Sequence, residues 1–383
     1  MAAAVTTVPT SLGPDGTWVN QQTMLRIKEP KRSLDFYTKV LGMTLIIHKE
    51  FPQYKFSLYF LGYLPAGMDA ASLPPPNSAA RNVLATQLPG LIELTHNHGT
   101  EVEEGPSYHT GNSYDGCEGG FGHIGVTVPD VYASCERFKA LGAAFKKSPN
   151  SGGMKGLAFI KDPDGYAIEV VHQGPSPVVQ SLDCCGFSAD GATAGELPGA
   201  APYDAAAATC LPDVSGYYAA AADAETAGFV MQQTMLRIKE PKRSLDFYQR
   251  VLGMTLVKQL DFPQWKFSLF FMAYLPAGMK EADLPPADSP ERMAFLWSLP
   301  ASVELTHNHG SETSDADRVY HTGNNYDGVK GGFGHIGITL PDVYAACQRF
   351  KDEGVEFQKS PNSGGMKVNK RATTHISPPL SFK

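Results

Sequence analysis

The stretch QQTMLRIKEPKRSLDFY occupies residues 21–37 and returns, letter for letter, at residues 232–248. LTHNHG, YHTGN, GGFGHIG and KSPNSGGMK then recur in the same order in both halves. The period is that of a whole domain, not of a solenoid repeat, so the chain is a tandem duplication. Its boundaries read as a tail (1–20), copy one (21–177), a linker rich in small residues (178–229) and copy two (230–383). The linker carries no apolar periodicity and is expected to be flexible or partly helical.

Within copy one, TMLRIKE alternates as a strand, and KRSLDFYTKVLG sets Leu34, Tyr37 and Leu41 on one helical face with Gly42 as the stop. MTLIIHKEF, KFSLYFLGYL and GLIELTHN read as three further strands. The plan then repeats. GFGHIGVTV is a strand, DVYASCERFKALG a helix opened by Asp130 and closed by Gly142, and AAFKKS, GLAFIKD and YAIEVVH are strands. DPDG supplies the last hairpin turn. Each copy is therefore two βαβββ units. The fold class is α+β, with four such units, the last incomplete, forming two curved mixed sheets.

Bulk properties exclude several functions. The 383 residues carry a formal charge of −7 with no basic block, which argues against a nucleic-acid or anionic-membrane partner. No run approaches the roughly 20 apolar residues of a membrane helix. Six cysteines, one adjacent pair (Cys184–Cys185) among them, show no C-x-x-C spacing and suit a reducing compartment, with the cytoplasm expected. The first twenty residues do not read as a secretory signal.

Four polar residues lie mid-strand among apolar neighbours: Gln22, Glu93 in LIELT, His123 and Glu169 in YAIEVV. A carboxylate so placed costs several kcal/mol unless a cation or hydrogen bonds meet it. One such Glu reads as an exposed face residue or an ion-pair member. Four at matched positions, all able to hold a metal, read as a site. Gln22 and Arg26 are four apart on one strand, so they share a face about 13 Å apart, at about 3.3 Å per residue. Glu93 and Asn97 repeat that relation. A metal at one end and a guanidinium and amide at the other suit an elongated ligand ending in a carboxylate.

These segments resemble the glyoxalase I (lactoylglutathione lyase) family of the vicinal-oxygen-chelate fold. The resemblance is carried by QQTMLR…SLDFY…LGM, IELTHN and VELTHN, GFGHIG and GLAFIKDPDGYAIEV, over nearly all of copy one and most of copy two. It implies a Gln, Glu, His and Glu metal set, mapping onto Gln22, Glu93, His123 and Glu169 in copy one and Gln233, Glu304 and His335 in copy two. It also implies that sites form between copies, within a monomer that is an internal pseudo-dimer. One site should join Gln233 and Glu304 to His123 and Glu169, and the other Gln22 and Glu93 to His335 and a fourth ligand.

That fourth ligand is missing. Copy two leaves the shared sequence after SPNSGGMK and is atypical from residue 368; the offset from His123 to His335 carries the slot of Glu169 to Ser381. The break reads either as one complete site beside one degenerate site, or as an error in the coding sequence. His375 could substitute, although a histidine in a Pro-flanked tail is more often solvated.

By the same resemblance the substrate is the hemithioacetal of methylglyoxal and glutathione. A divalent metal stabilises the enediolate as a Lewis acid, with zinc expected first and nickel or cobalt fitting the same donors. Glu169 is the leading base, with Glu304 on the opposite face. Arg237, Asn308, Lys147 and Met154 should hold glutathione at the complete site, and Arg26, Asn97 and Lys359 at the other. The family's Arg before the GFGH segment is absent from both copies. His96/His98, His307/His309, His109 and His321 read as structural. Two rivals are an extradiol dioxygenase, which Gln at the first ligand position argues against, and a non-catalytic binding protein of the same fold.

Overall fold

Alternation places the core before any strand is paired. In each strand of the first unit one set of residues is apolar, such as Leu25 and Ile27 or Ile92 and Leu94, and the set between carries Gln22, Arg26, Glu93 and Asn97. With a side-chain period of two, the first set must share one face and the second the other. The computed structural model describes residues 18–112, 118–180, 213–218, 224–316, 319–324, 330–363 and, for the backbone alone, 372–376.

The first unit is β1 (Val19–Ile27), α1 (Pro30–Asp35), β2 (Thr44–Phe51), β3 (Phe56–Gly62) and β4 (Leu91–Asn97), with α2 (Ala79–Ala85) inserted before β4. Pro30 and the Glu29 carboxylate, which accepts from the Lys31 and Arg32 amides, start α1. A π-helical turn (Phe36–Val40) follows, and the chain leaves at Gly42 with φ +72°. The second unit is β5 (Phe121–Val128), α3 (Val131–Ala140), β6 (Ala144–Lys147), β7 (Ala158–Lys161) and β8 (Ala167–His172). Asp162, in the β7–β8 turn, is buried and accepts from the Asp164 and Tyr166 amides and the Tyr37 hydroxyl. It thereby ties the turn to the first unit.

A short helix, α4 (Ser215–Tyr218), comes from the linker and docks on copy one. Tyr217 donates to the Asp35 carboxylate at 2.9 Å, and Tyr218 accepts from the His48 amide at 2.8 Å. Copy two repeats the plan: β9 (Val230–Ile238), α5 (Pro241–Asp246), β10 (Thr255–Phe262), β11 (Phe267–Ala273), α6 (Pro290–Ser298) and β12 (Ser302–Asn308), then β13 (Phe333–Leu340), α7 (Val343–Asp352) and β14 (Ala372–Ile376). The described residues begin before residue 21. Trp18 is buried edge-on against Tyr274 and Phe350 of copy two.

The strands assemble across copies. One sheet runs β14-β13-β1-β4-β3-β2 and the other β10-β11-β12-β9-β5-β8-β7-β6. In each, the first strand of one copy's leading unit pairs antiparallel with the first strand of the other copy's trailing unit: β1 with β13, and β9 with β5. Equivalent residues meet at the junction. Thr23 and Thr234 share a hydrogen bond, and Phe121 and Phe333 stack at 5.0 Å. A single apolar cluster runs through it, from Leu25 and Ile124 to Leu236 and Ile336.

The fourth unit departs from the plan. Among the described residues β14 is the one strand that follows α7, and it pairs antiparallel with β13, whereas β8 is parallel to β5. Its register sets His375 opposite Gly337, as Glu169 stands opposite Gly125. The residue at the register of Glu169 is thus His375, not Ser381, because reversing the strand breaks the linear offset. Ser381 itself lies outside the described residues, as do the departure point at 368 and the Cys184–Cys185 pair.

Copy one alone would expose both β1 and β5 as unpaired edges. A fragment of residues 18–180 is therefore expected to form dimers by pairing each edge with its partner's complement. Sedimentation velocity would read a doubled mass, whereas a stable monomer would show that these edges do not hold the copies together.

Candidate functional site

Four adjacent strands of the larger sheet each contribute one polar side chain to a common face: Glu304 on β12, Gln233 on β9, His123 on β5 and Glu169 on β8. Register explains why they meet. Gly125 lies between Gln233 and Glu169, and Met235 lies between His123 and Glu304. Paired residues share a face, so all four point the same way.

The contacts are close. Gln233 Nε2 donates to Glu169 at 2.8 Å and to Glu304 at 2.7 Å. His123 Nε2 stands 3.3 Å from Glu169 and 3.4 Å from Glu304. The Gln233–Glu169 bond passes over Gly125, and a Cβ there would lie 2.7 Å from Gln233 Cδ. Glycine is needed because the amide fills the space a side chain would take. Thr306 donates to Glu304 at 3.2 Å, and Phe159 meets the His123 ring edge-on at 5.3 Å. Neither contact was read from the sequence, although the Thr of ELT stands two residues after the Glu in both copies.

All four residues are buried. Burial pushes the His123 imidazole down, but the Glu169 and Glu304 carboxylates outweigh it and lift the pKa to about 9. An imidazolium between two carboxylates leaves the cluster one negative charge in excess. A divalent cation with neutral imidazole would balance it. Gln233 Oε1 is also buried without a hydrogen bond. Imidazole, two carboxylates and an amide oxygen form an oxygen-rich set that fits a divalent metal with open positions. Among the described residues, His123, Glu169 and Glu304 are the one group of three His, Cys, Asp or Glu side chains with ligand atoms this near, within 4.8 Å.

The matched site in the smaller sheet is a partial copy. Gln22 donates to Glu93 at 2.7 Å, and His335 stands 3.4 Å from Glu93. Among the described residues it holds one carboxylate where the first holds two, and the fourth strand position is the backbone of His375.

Further along the face, both arginines are committed across the copies. Arg237 donates through one terminal nitrogen to the carbonyls of Gly119 and Phe121 and through the other to Asn112. Arg26 does the same with Gly331, Phe333 and Asn324. Their first role is to clamp the opposite copy's loop, which four-residue spacing on one strand could not reveal. Asn308 donates to Tyr320 at 3.2 Å, and Asn97 to Tyr108 at 2.9 Å. Lys147 ends β6, where burial lowers its pKa to about 8 despite the Glu169 carboxylate. It donates to the Leu157 carbonyl at 2.7 Å. Met154 is partly buried in the following loop, whose Gly153 packs on Trp265 of copy two. Lys359 is exposed, and the loop after it lies outside the described residues from 364.

The histidines of the two HNH and two YHTGN segments have structural partners. His96 pairs with Glu101 and His307 with Glu312, while His98 and His309 bond Ser57 and Ser268. His109 and His321 stack at 5.8 Å across the junction, each accepting a glycine amide at Nδ1.

With this geometry in place, comparison with known proteins assigns the class. The profile of the Glyoxalase/Bleomycin resistance protein/Dioxygenase superfamily matches residues 21–170 and 230–372, and the chain belongs to that superfamily. Over 351 residues the chain is 33% identical to a lactoylglutathione lyase of Schizosaccharomyces pombe, covering 92% of this chain and 91% of that one. It is 50% identical over 158 residues to the lactoylglutathione lyase of Pseudomonas putida, covering 41% of this chain and 87% of that protein. The fold matches the crystal structure of glyoxalase I from Zea mays with a TM-score of 0.54 at 20% identity, over 94% and 89% of the two chains. Within the superfamily, the chain is a member of the lactoylglutathione lyase, or glyoxalase I, family.

Substituting Gly125→Ala should push Gln233 off the two carboxylates. Stability is expected to fall by about 1–3 kcal/mol, as for other overpacked positions, with weaker cobalt binding. Chemical denaturation and a cobalt titration read the two effects. An unaltered midpoint and affinity would show that the amide does not depend on that gap.

Proposed function

We propose that the site built from Gln233, Glu304, His123 and Glu169 isomerises the hemithioacetal of methylglyoxal and glutathione to S-lactoylglutathione. The observation that carries this reading is the meeting of two carboxylates, an imidazole and an amide from both copies on one buried face. Glu169 is the leading base: it takes the proton from C1 of the substrate and returns it to C2. Glu304, on the opposite side of His123, would do the same from the other face. Burial keeps the proton from exchanging freely with water.

Gln233, Glu304, His123 and Glu169 would hold one divalent cation, zinc first and nickel or cobalt as alternatives. A cation bound there supplies Lewis acidity to the two adjacent oxygens of the substrate. Asn308 and the remaining edge of Arg237 would take the γ-glutamyl end of glutathione, with Lys147 and Met154 lining the side from copy one. The smaller sheet's site, with Gln22, Glu93 and His335, lacks the second carboxylate and contributes little turnover. Arg26, Asn97 and Lys359 would be its ligand-holding counterparts. We place the protein in the cytoplasm as a monomer. No helix among the described residues is long and apolar enough to cross a membrane.

The thioester absorbance formed from methylglyoxal and glutathione measures the reaction directly. Glu169→Gln should lower kcat by about 10²–10⁴-fold, the usual contribution of a positioned base, while Glu93→Gln should leave it within about twofold. Equal losses from the two variants would refute the asymmetric pairing.

Lys147 adds a pH dependence. It is cationic below about 8 and neutral above, so KM for the anionic substrate should rise as pH passes that value. Lys147→Arg, which stays charged, should remove the rise. A KM profile indifferent to pH in the wild type would exclude Lys147 from the ligand.

A further inference from the structure

One matched position differs in the sign of its charge between the two sites. Glu118 precedes Gly119, Gly120 and Phe121 as Lys330 precedes Gly331, Gly332 and Phe333. The backbone frame is the same at both: Glu118 accepts from the His321 amide at 2.8 Å, and Lys330 accepts from the His109 amide at 2.8 Å. The side chains then diverge. Lys330 pairs with Glu103 at 2.8 Å. The Glu118 carboxylate instead stands at the far end of the complete site, 3.7 Å from Arg237 Nε and 3.4 Å from Asn308 Nδ2.

Those separations exceed the 2.7–2.9 Å of a closed charge-assisted bond. The Glu118 side chain is also 44% exposed, against 15% for Arg237. The pair is open, and a ligand can enter it without breaking a tight contact. Because the terminal nitrogens of Arg237 already bind Gly119, Phe121 and Asn112, its Nε edge is the part turned toward Glu118. The result is a donor edge and an amide donor that each lie within 4 Å of one carboxylate oxygen. An α-amino acid group has the complementary arrangement, since its carboxylate and ammonium hang from one carbon.

We infer that Glu118 is a specificity residue that makes this end of the complete site a receptor for a zwitterionic α-amino acid group. Arg237 and Asn308 take the carboxylate and Glu118 takes the ammonium. The inference rests on the proposed reaction in taking the ligand's far end to be the γ-glutamyl group. Without Glu118 the donors would accept any carboxylate-ended thiol. With it, an end lacking the ammonium meets an uncompensated negative charge, a repulsive element that discriminates among acidic thiols. At the partial site the matched position is Lys330, paired with Glu103, so that position presents no carboxylate to an ammonium.

Calorimetric binding to the full chain tests this without requiring turnover. The probes are S-butylglutathione and its analogue in which a glutaryl group replaces the γ-glutamyl group, which removes the ammonium alone. Wild type should prefer the amino form by about tenfold. Glu118→Gln should cut that preference at least threefold, and Glu118→Lys should abolish or invert it, while Glu118→Asp keeps most of it. Equal affinity of the wild type for both probes, or an unchanged ratio in Glu118→Gln, would overturn the inference. A gain of equal size for both probes in Glu118→Gln would also overturn it, since Glu118 would then only compete for Arg237. Failure of the proposed reaction would appear separately, as no thioester formation by the same preparation.

Discussion

The antiparallel pairing of β5 with β9 is the contact on which the rest depends. It makes the leading half of copy two continuous with the trailing half of copy one, and so lays β12, β9, β5 and β8 side by side. Neither copy could assemble this set alone, because Gln233 and Glu304 lie on one and His123 and Glu169 on the other. The same pairing removes two exposed sheet edges and buries the apolar seam around Phe121 and Phe333. Stability and site formation thus come from one interface. The arginine clamps reinforce it, each reaching over to the carbonyls that open the opposite copy's GFGH strand.

Charge decides what that face can hold. Two buried carboxylates sharing an imidazole and an amide are tolerable because each side chain stabilises its neighbours, and the raised pKa of His123 is the signature of that arrangement. With the buried amide oxygen of Gln233, the two carboxylates and the imidazole form a donor set that fits a divalent cation. The smaller sheet retains the geometry of Gln22, Glu93 and His335 but only one of the two carboxylates. Its fourth strand runs in the opposite direction and brings a histidine to the register position of Glu169. The duplicated frames now differ both in a whole strand and in single side chains. Glu118 and Lys330 are such a single difference, at the other end of the face.

Much of the fold was legible because it is local. Alternation in TMLRI, LIELT, GHIGV and YAIEV assigns each residue to a face whichever strand lies beside it, and helix ends follow from Asp130, Gly42 and Gly142. The candidate ligands were found by the same logic, as polar residues in slots that the pattern reserves for burial on the site face. Cross-copy assembly was not local. Pairing within each copy or between copies would use the same strands with the same patterns, and only the family resemblance pointed to the second. The commitments of Arg237 and Arg26 to backbone carbonyls were invisible, since main-chain acceptors leave no mark in the sequence.

What the sequence by itself determined is the duplicated βαβββ plan and the identity of the polar residues on each strand's buried site face, because both follow from short-range periodicity. Tertiary structure alone decided that Gly125 must be bare for an amide to cross it, that β14 reverses, and that Glu118 comes to rest beside Arg237 and Asn308. Each of these depends on the register between strands far apart in the chain. Register is set by the whole sheet closing on its core, and no single segment encodes it.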